Sequence, residues 1–134
     1  MHAIGASYLI RQSPGAERFD GATVRISPAH DQTGTIDIKL TALQSGEPID
    51  DEPPFLGEYA RAAVGRFAEN NDVDLRAWNI AISDFAYHPV DTGPKGTHDA
   101  VYNALAAAFA QWTRLVLDLP QKQAEQSRPP ENAS

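Results

Sequence analysis

The sequence predicts a single α+β domain, in which a mainly antiparallel sheet of about four strands carries two helices on one face. A chain of 134 residues, of which 42% are hydrophobic, can form one core of ordinary size. Apolar and polar residues alternate in the predicted strands, which indicates that one face of the sheet is covered and the other is exposed. Two longer segments have the period of amphipathic helices, so the predicted element order is β-β-β-α-β-α.

The strands follow from short apolar or alternating segments. Residues 4–10 form an apolar stretch, and apolar side chains alternate with polar ones over residues 22–27 and again over residues 36–40. The fourth segment alternates over residues 73–77 and resumes the pattern in a shifted phase at Ile80. This phase shift predicts a strand that contains a bulge or a strong bend near Trp78.

The helices follow from apolar stripes with helical spacing. The first stripe consists of Leu56, Tyr59, Ala60, Ala63, Val64 and Phe67, and the second consists of Val101, Leu105, Ala108, Phe109, Trp112, Leu115, Val116 and Leu119. Gly96 or Thr97 is the predicted N-cap of the second helix, and Pro120 is predicted to stop it. The expected organisation is therefore one folded domain over residues 1–119, followed by a flexible tail over residues 120–134.

Charge and composition restrict the partners. The net charge is -7, which disfavours binding to DNA or to an anionic membrane. The chain contains no cysteine and no apolar run long enough to span a membrane, so we expect a cytoplasmic protein without disulfides.

Motifs for nucleotide binding and catalysis are absent from the sequence. A phosphate-binding G-x-x-x-x-G-K-[ST] loop does not occur, so no nucleotide is expected. His88, Asp91, His98 and Asp99 could gather a cation, but their spacing matches no zinc pattern, and solvated loop side chains are the simpler interpretation. We therefore predict no enzymatic activity, no metal and no cofactor.

Two segments, taken together, resemble domain IV of translation elongation factor G. The first covers residues 8–28, where Arg11, Gln12, Ser13, Gly15, Val24 and Pro28 match the family pattern. The second covers residues 84–92, where Asp84, Tyr87, His88, Val90 and Asp91 match. The resemblance extends over about residues 8–117 and agrees with the predicted order of elements.

The resemblance implies a left-handed strand–helix–strand crossover and a tip formed by two loops. In that family, the histidine of the second loop approaches the codon–anticodon region. The implied binding residues are Arg11, Gln12, Ser13, Gly15, Arg18, Tyr87, His88 and Asp91. Glu17 and Asp20, in contrast, are expected to place negative charge on the first loop.

Two functional interpretations follow, and the sequence leaves both open. The family's GTPase domain is missing from this sequence, so the resemblance implies a non-enzymatic protein that docks on the ribosome, on ribosomal RNA or on a translation-related protein. The alternative is a protein-interaction module that kept the fold but not RNA binding. An exposed apolar patch on the open face of the sheet would favour the alternative. An aromatic residue such as Tyr87 would either contact RNA beside Arg11 or Arg18, or anchor its loop on the core.

Overall fold

The computed structural model describes residues 1–11, 17–49 and 55–127, with side chains up to residue 118. Within these ranges the elements are β1 (Ala3–Arg11), β2 (Arg18–Pro28), β3 (Ile36–Ile38), α1 (Phe55–Asn71), β4 (Trp78–Ala86) and α2 (Pro94–Ser127). This is the predicted order β-β-β-α-β-α. No helix in the described part of the chain is both long and apolar enough to cross a membrane.

The strands form one sheet in the order β1-β2-β4-β3. β2 pairs antiparallel with β1 on one side and with β4 on the other, whereas β3 pairs parallel with β4. The chain passes from β3 to β4 through α1, so the expected strand–helix–strand crossover is present. The two-layer α+β prediction is confirmed, while the hand of the crossover stays a prediction.

The core lies between the sheet and the two helices. Its largest fully buried side chains come from both layers: Val24, Ile26, Ile80, Ile82 and Phe85 from the sheet, and Leu56, Val64, Val101 and Leu105 from the helices. Ala22, Val24 and Ile26 are buried while Arg25 is exposed, as the alternation of β2 predicts. One face of the sheet is therefore covered by α1 and α2.

α2 lies unusually close to β1 because small residues meet there. A Cβ atom on Gly5 would lie 2.2 Å from the carbonyl oxygen of Ala104 and 2.4 Å from the amide nitrogen of Ala108. Glycine in the middle of a strand is otherwise unfavourable, so this close approach is the physical reason for it. Gln111 adds a polar contact, since its Oε1 accepts a 2.6 Å hydrogen bond from the backbone N–H of Ile4.

The segment before β4 differs from the prediction. Residues Leu75–Ala77 form a 3₁₀ turn rather than the first part of the strand. The Asp74 carboxylate caps this turn, because its Oδ1 accepts a 3.0 Å hydrogen bond from the N–H of Arg76. The irregularity of pairing lies instead on β2, between Gly21 and Thr23.

Both ends of α2 also differ from the prediction. The helix begins at Pro94, where the fixed backbone of proline suits the first helical position, and not after Gly96 or Thr97. It continues through Pro120 to Ser127, so the predicted stop at Pro120 is wrong. Proline removes one backbone hydrogen bond, but residues 121–126 are mainly strong helix formers that continue the helix.

Candidate functional site

The loop that follows β4 is hydrogen-bonded to the beginning of β2. The N–H of Phe19 donates to the carbonyl of Asp91 over 3.3 Å, and the N–H of Gly93 donates to Oδ1 of Asp20 over 3.3 Å. The described parts of the two segments that resemble domain IV therefore lie together at one end of the sheet. We call this region the tip and define it as Arg11, residues 18–20 and residues 87–93.

Thr92 holds the tip together through its hydroxyl group. This residue is only 6% exposed. Its Oγ1 accepts a 2.8 Å hydrogen bond from the N–H of His88 and donates to the carbonyl oxygen of Phe19. Its own N–H donates to the carbonyl of His88 over 3.0 Å. One buried side chain thus closes the loop and also fastens it to β2.

His88 is fixed by the backbone of the same loop. Its Nδ1 accepts hydrogen bonds from the N–H groups of Val90, at 3.2 Å, and of Asp91, at 3.3 Å. Because Nδ1 accepts these hydrogen bonds, the ring N–H lies on Nε2. No hydrogen bond occupies Nε2 within the described chain, and the side chain is 51% exposed. The imidazole therefore offers one oriented N–H donor to a ligand.

The predicted residues of the first segment are only partly described. Arg11 and Arg18 lie opposite each other in the register of β1 and β2, and both are exposed. They place two positive charges at the end of this strand pair where the chain passes from β1 to β2. Gln12, Ser13 and Gly15 lie outside the described residues.

The predicted residues of the second segment have different environments. Tyr87 is partly buried and packs against the hydrophobic core, which favours its interpretation as an anchor of the loop. The Asp91 carboxylate is 28% exposed and has Oδ2 at 3.4 Å from Nδ1 of His88. His88 and Asp91 thus lie side by side at the tip, whereas Tyr87 anchors the loop on the core.

Asp20 does not contribute to the surface charge of the tip, contrary to expectation. It is 2% exposed, and its Oδ2 has no hydrogen-bond partner within the described chain. A Cβ atom on Gly96 would lie 2.2 Å from Cγ of Asp20, so the carboxyl group sits directly against the first turn of α2. Burial raises the pKa of Asp20, although the N–H of Gly93 and the charge of Arg18 oppose this shift. Of the two acidic residues expected to place negative charge on this loop, Glu17 is exposed and Asp20 is buried.

Sequence reasoning missed the role of Thr92 in the site and the burial of Asp20. The signal for Asp20 was present, because residue 20 has the same parity as the buried residues 22, 24 and 26 of β2. Thr92 carries no such signal, since a loop threonine has no periodicity. Its role becomes apparent only from the contact with Phe19, a residue 73 positions away in the chain.

The four residues considered as a cation site form two separate pairs. His88 and Asp91 belong to the tip, whereas His98 and Asp99 lie on α2 and line a groove beside α1. In the described ranges, no group of three or more histidine, aspartate or glutamate side chains is arranged to hold a metal ion.

The open face of the sheet combines polar and apolar side chains. Its side chains include Thr23 and Arg25 from β2 and Ser83 from β4, together with Lys39 beside β3. Ile4 and Ile10 of β1 have the same parity and are 40% and 45% exposed. The polar residues of β2 and β4 are thus bordered by exposed apolar side chains along β1.

These features define a two-layer α+β domain with one parallel and two antiparallel strand pairs and a tip built by two distant segments. The comparisons with known proteins agree with this description at the level of the fold. No protein-family model matches the chain, and no curated protein matches its sequence.

Among solved structures, the chain is similar to the crystal structure of ttk003000868 from Thermus thermophilus, an elongation-factor-G-like chain. The TM-score is 0.55 at 16% identity, over 77% of this chain and 15% of that chain. The likeness shows a shared fold over this part of the chain. Phosphomevalonate kinase from Streptococcus pneumoniae aligns over 82% of this chain and 36% of its own, at 16% identity, with a TM-score of only 0.33.

Proposed function

We propose that this protein is a non-enzymatic relative of elongation factor G domain IV that docks on the ribosome through its tip. The observation that carries the proposal is the fixed imidazole of His88. Three hydrogen bonds hold this residue, one from its N–H to Thr92 and two to its Nδ1 from the N–H groups of Val90 and Asp91. They leave the ring N–H as a donor that faces outward. A donor that is oriented before binding loses little conformational freedom when it contacts an RNA acceptor.

The electrostatics of the tip support docking on structured RNA rather than on RNA in general. Arg11 and Arg18 supply two exposed positive charges, and the burial of Asp20 removes one negative charge from the surface. The chain as a whole still carries a net charge of -7, which opposes non-specific attraction to phosphate. Recognition would then depend on a few positioned contacts to loops, 2′-hydroxyl groups or base edges.

Co-sedimentation with purified ribosomal subunits at several salt concentrations tests this function. We expect the wild-type protein to sediment with subunits, and His88→Ala and Arg18→Glu each to weaken this association without lowering the melting temperature. His30→Ala is the control for the loss of an exposed histidine, because His30 lies beyond the opposite end of β2. Arg61→Glu on the exposed face of α1 is the control for charge reversal.

The outcomes separate the candidate functions. Equal weakening by the tip variants and their controls would exclude the tip as the contact surface. Absence of sedimentation at any salt concentration would contradict ribosome docking and leave the protein-interaction module as the better account. That alternative would then require a protein partner, to be sought with the tip variants as negative controls.

A further inference from the structure

A groove separate from the tip lies between α1 and the first turns of α2. It has a volume of about 700 Å³ and is lined by residues of both helices: Tyr59, Arg66, Asn70, Pro94, Lys95, His98, Asp99 and Tyr102. Ligand sites for small molecules have volumes of roughly 300–1,000 Å³. The groove therefore matches a small molecule in size.

Two tyrosine rings and one imidazole form part of the groove wall. The ring of Tyr102 stacks on the imidazole of His98 with centroids 6.4 Å apart, and it meets the ring of Phe67 edge to face at 5.3 Å. The amide of Asn70 donates to the Tyr102 hydroxyl over 3.1 Å. These contacts hold Tyr102 in place, while Tyr59 on the opposite helix is 37% exposed and leaves its ring accessible. A flat apolar group can stack on such rings.

The charges in the groove leave one cation without a partner. Asp99 lies between two cationic or potentially cationic groups, with Oδ2 3.3 Å from Nζ of Lys95 and Oδ1 3.2 Å from Nδ1 of His98. Burial raises the pKa of Asp99, but the hydrogen bonds from His98 and Lys95 outweigh this effect, and the net pKa is lowered. Arg66 forms no ion pair with any carboxylate of the described residues, although Glu69 is close in sequence.

We infer that the groove binds a small organic anion that joins an aromatic ring to a carboxylate or phosphate group. The ring would lie against Tyr59 and Tyr102, and the oxyanion would pair with Arg66. A guanidinium group suits both oxyanions, because its planar donors can contact two oxygens at once. A positively charged groove in a chain of net charge -7 also favours an anion over a cation.

The binding class can be tested by NMR titration of the full chain with four simple probes. These are phenyl phosphate, benzoate, benzyl alcohol and benzylamine, which share one ring and differ in charge. We expect the two anions to shift the backbone amide signals of residues 59–70 and 95–102, and the neutral and cationic probes to shift them far less. Comparison of phenyl phosphate with benzoate distinguishes a phosphate ester from a carboxylate as the preferred ligand.

Variants with matched controls identify the contacts. Arg66→Gln should weaken binding of the preferred anion about tenfold, as expected for the loss of one charged hydrogen bond. Arg61→Gln on the same helix, outside the groove, should leave the affinity unchanged. Tyr59→Ser should weaken binding of both anions, whereas Tyr59→Phe should retain it.

Three results would overturn the inference. Equal binding of benzyl alcohol and benzoate would show that the groove has no preference for anions. Equal effects of Arg61→Gln and Arg66→Gln would reduce the interaction to general charge attraction. Binding of acidic peptides without binding of any small probe would assign the groove to a protein partner instead. None of these outcomes depends on ribosome docking, because the groove and the tip have different residues.

Discussion

Substitution of Gly96 by alanine tests how tightly the tip is joined to α2. A Cβ atom at this position would lie 2.2 Å from Cγ of Asp20 and 2.3 Å from both carboxylate oxygens. Contacts this short do not occur, so the carboxyl group or the helix must move by about 1 Å to reach ordinary packing distances. Either movement disturbs the hydrogen bond from Gly93 to Asp20.

The expected effect is a balance of three contributions. Overpacking costs about 1–3 kcal/mol, and loss of the Gly93 hydrogen bond costs about another 1 kcal/mol. Replacement of glycine by alanine in a helix returns about 1 kcal/mol. We therefore expect Gly96→Ala to lower the free energy of unfolding by about 1–3 kcal/mol.

Gly65 provides the matched control. It lies within α1, and a Cβ atom there would meet nothing within 4 Å. Gly65→Ala should therefore raise the free energy of unfolding by up to about 1 kcal/mol. Urea denaturation followed by circular dichroism measures both changes, and equal slopes of the transitions would show that the unfolded states are comparable.

A double-mutant cycle identifies the cause. With Asp20→Ala already present, Gly96→Ala should no longer be destabilising, because the clashing carboxyl group has been removed. If Gly96→Ala proves as stabilising as Gly65→Ala in the wild-type background, the described contact between α2 and Asp20 is wrong. If it destabilises equally with and without Asp20, the cost comes from another neighbour.

Three further predictions concern the tip and the end of the chain. Because burial raises the pKa of Asp20, the folded protein should lose stability as the pH rises from 3.8 through the raised value. Asp20→Asn cannot ionise, so its free energy of unfolding should increase relative to the wild type over this pH range. Urea titrations at several pH values measure this difference, and a constant difference would contradict the prediction. Thr92→Val should lower the free energy of unfolding by about 1–3 kcal/mol, because the N–H of His88 and the carbonyl of Phe19 lose their hydrogen-bond partner. Thr92→Ser keeps the hydroxyl and should retain most of the stability. An equal loss in both variants, measured by thermal unfolding, would contradict the role of the hydroxyl. Truncation after Leu119 should leave the melting temperature within a few degrees, since residues 121–134 contain little apolar surface to bury, and a larger drop would show that this segment packs on the domain.

The sequence predicted those elements whose periodicity is maintained by one buried face. The stripe from Leu56 to Phe67 lies within α1 and is buried except for Tyr59, and the alternation of Val24 and Ile26 corresponds to their burial in β2. Both patterns reflect the same requirement, that apolar side chains face one core. They were sufficient to determine the class of the fold.

The errors arose where local chemistry outweighed periodicity. The alternation before β4 suggested a strand, but the Asp74 side chain caps a 3₁₀ turn there. Pro120 suggested a stop, but its helix-forming neighbours outweigh one missing hydrogen bond. The contacts of Thr92 and Asp20 join residues that are 73 positions apart, and a single sequence contains no pattern that predicts such pairs.

The short strand β3 makes one edge of the sheet more susceptible to local unfolding than the other. β3 comprises three residues, none of them fully buried, and its parallel hydrogen bonds with β4 form a less stable ladder than antiparallel ones. Its amide protons should exchange with solvent through local unfolding long before those of β2, which is paired on both sides. The tip rests on β2, β4 and α2, so β3 can detach and reattach while the arrangement around His88 persists.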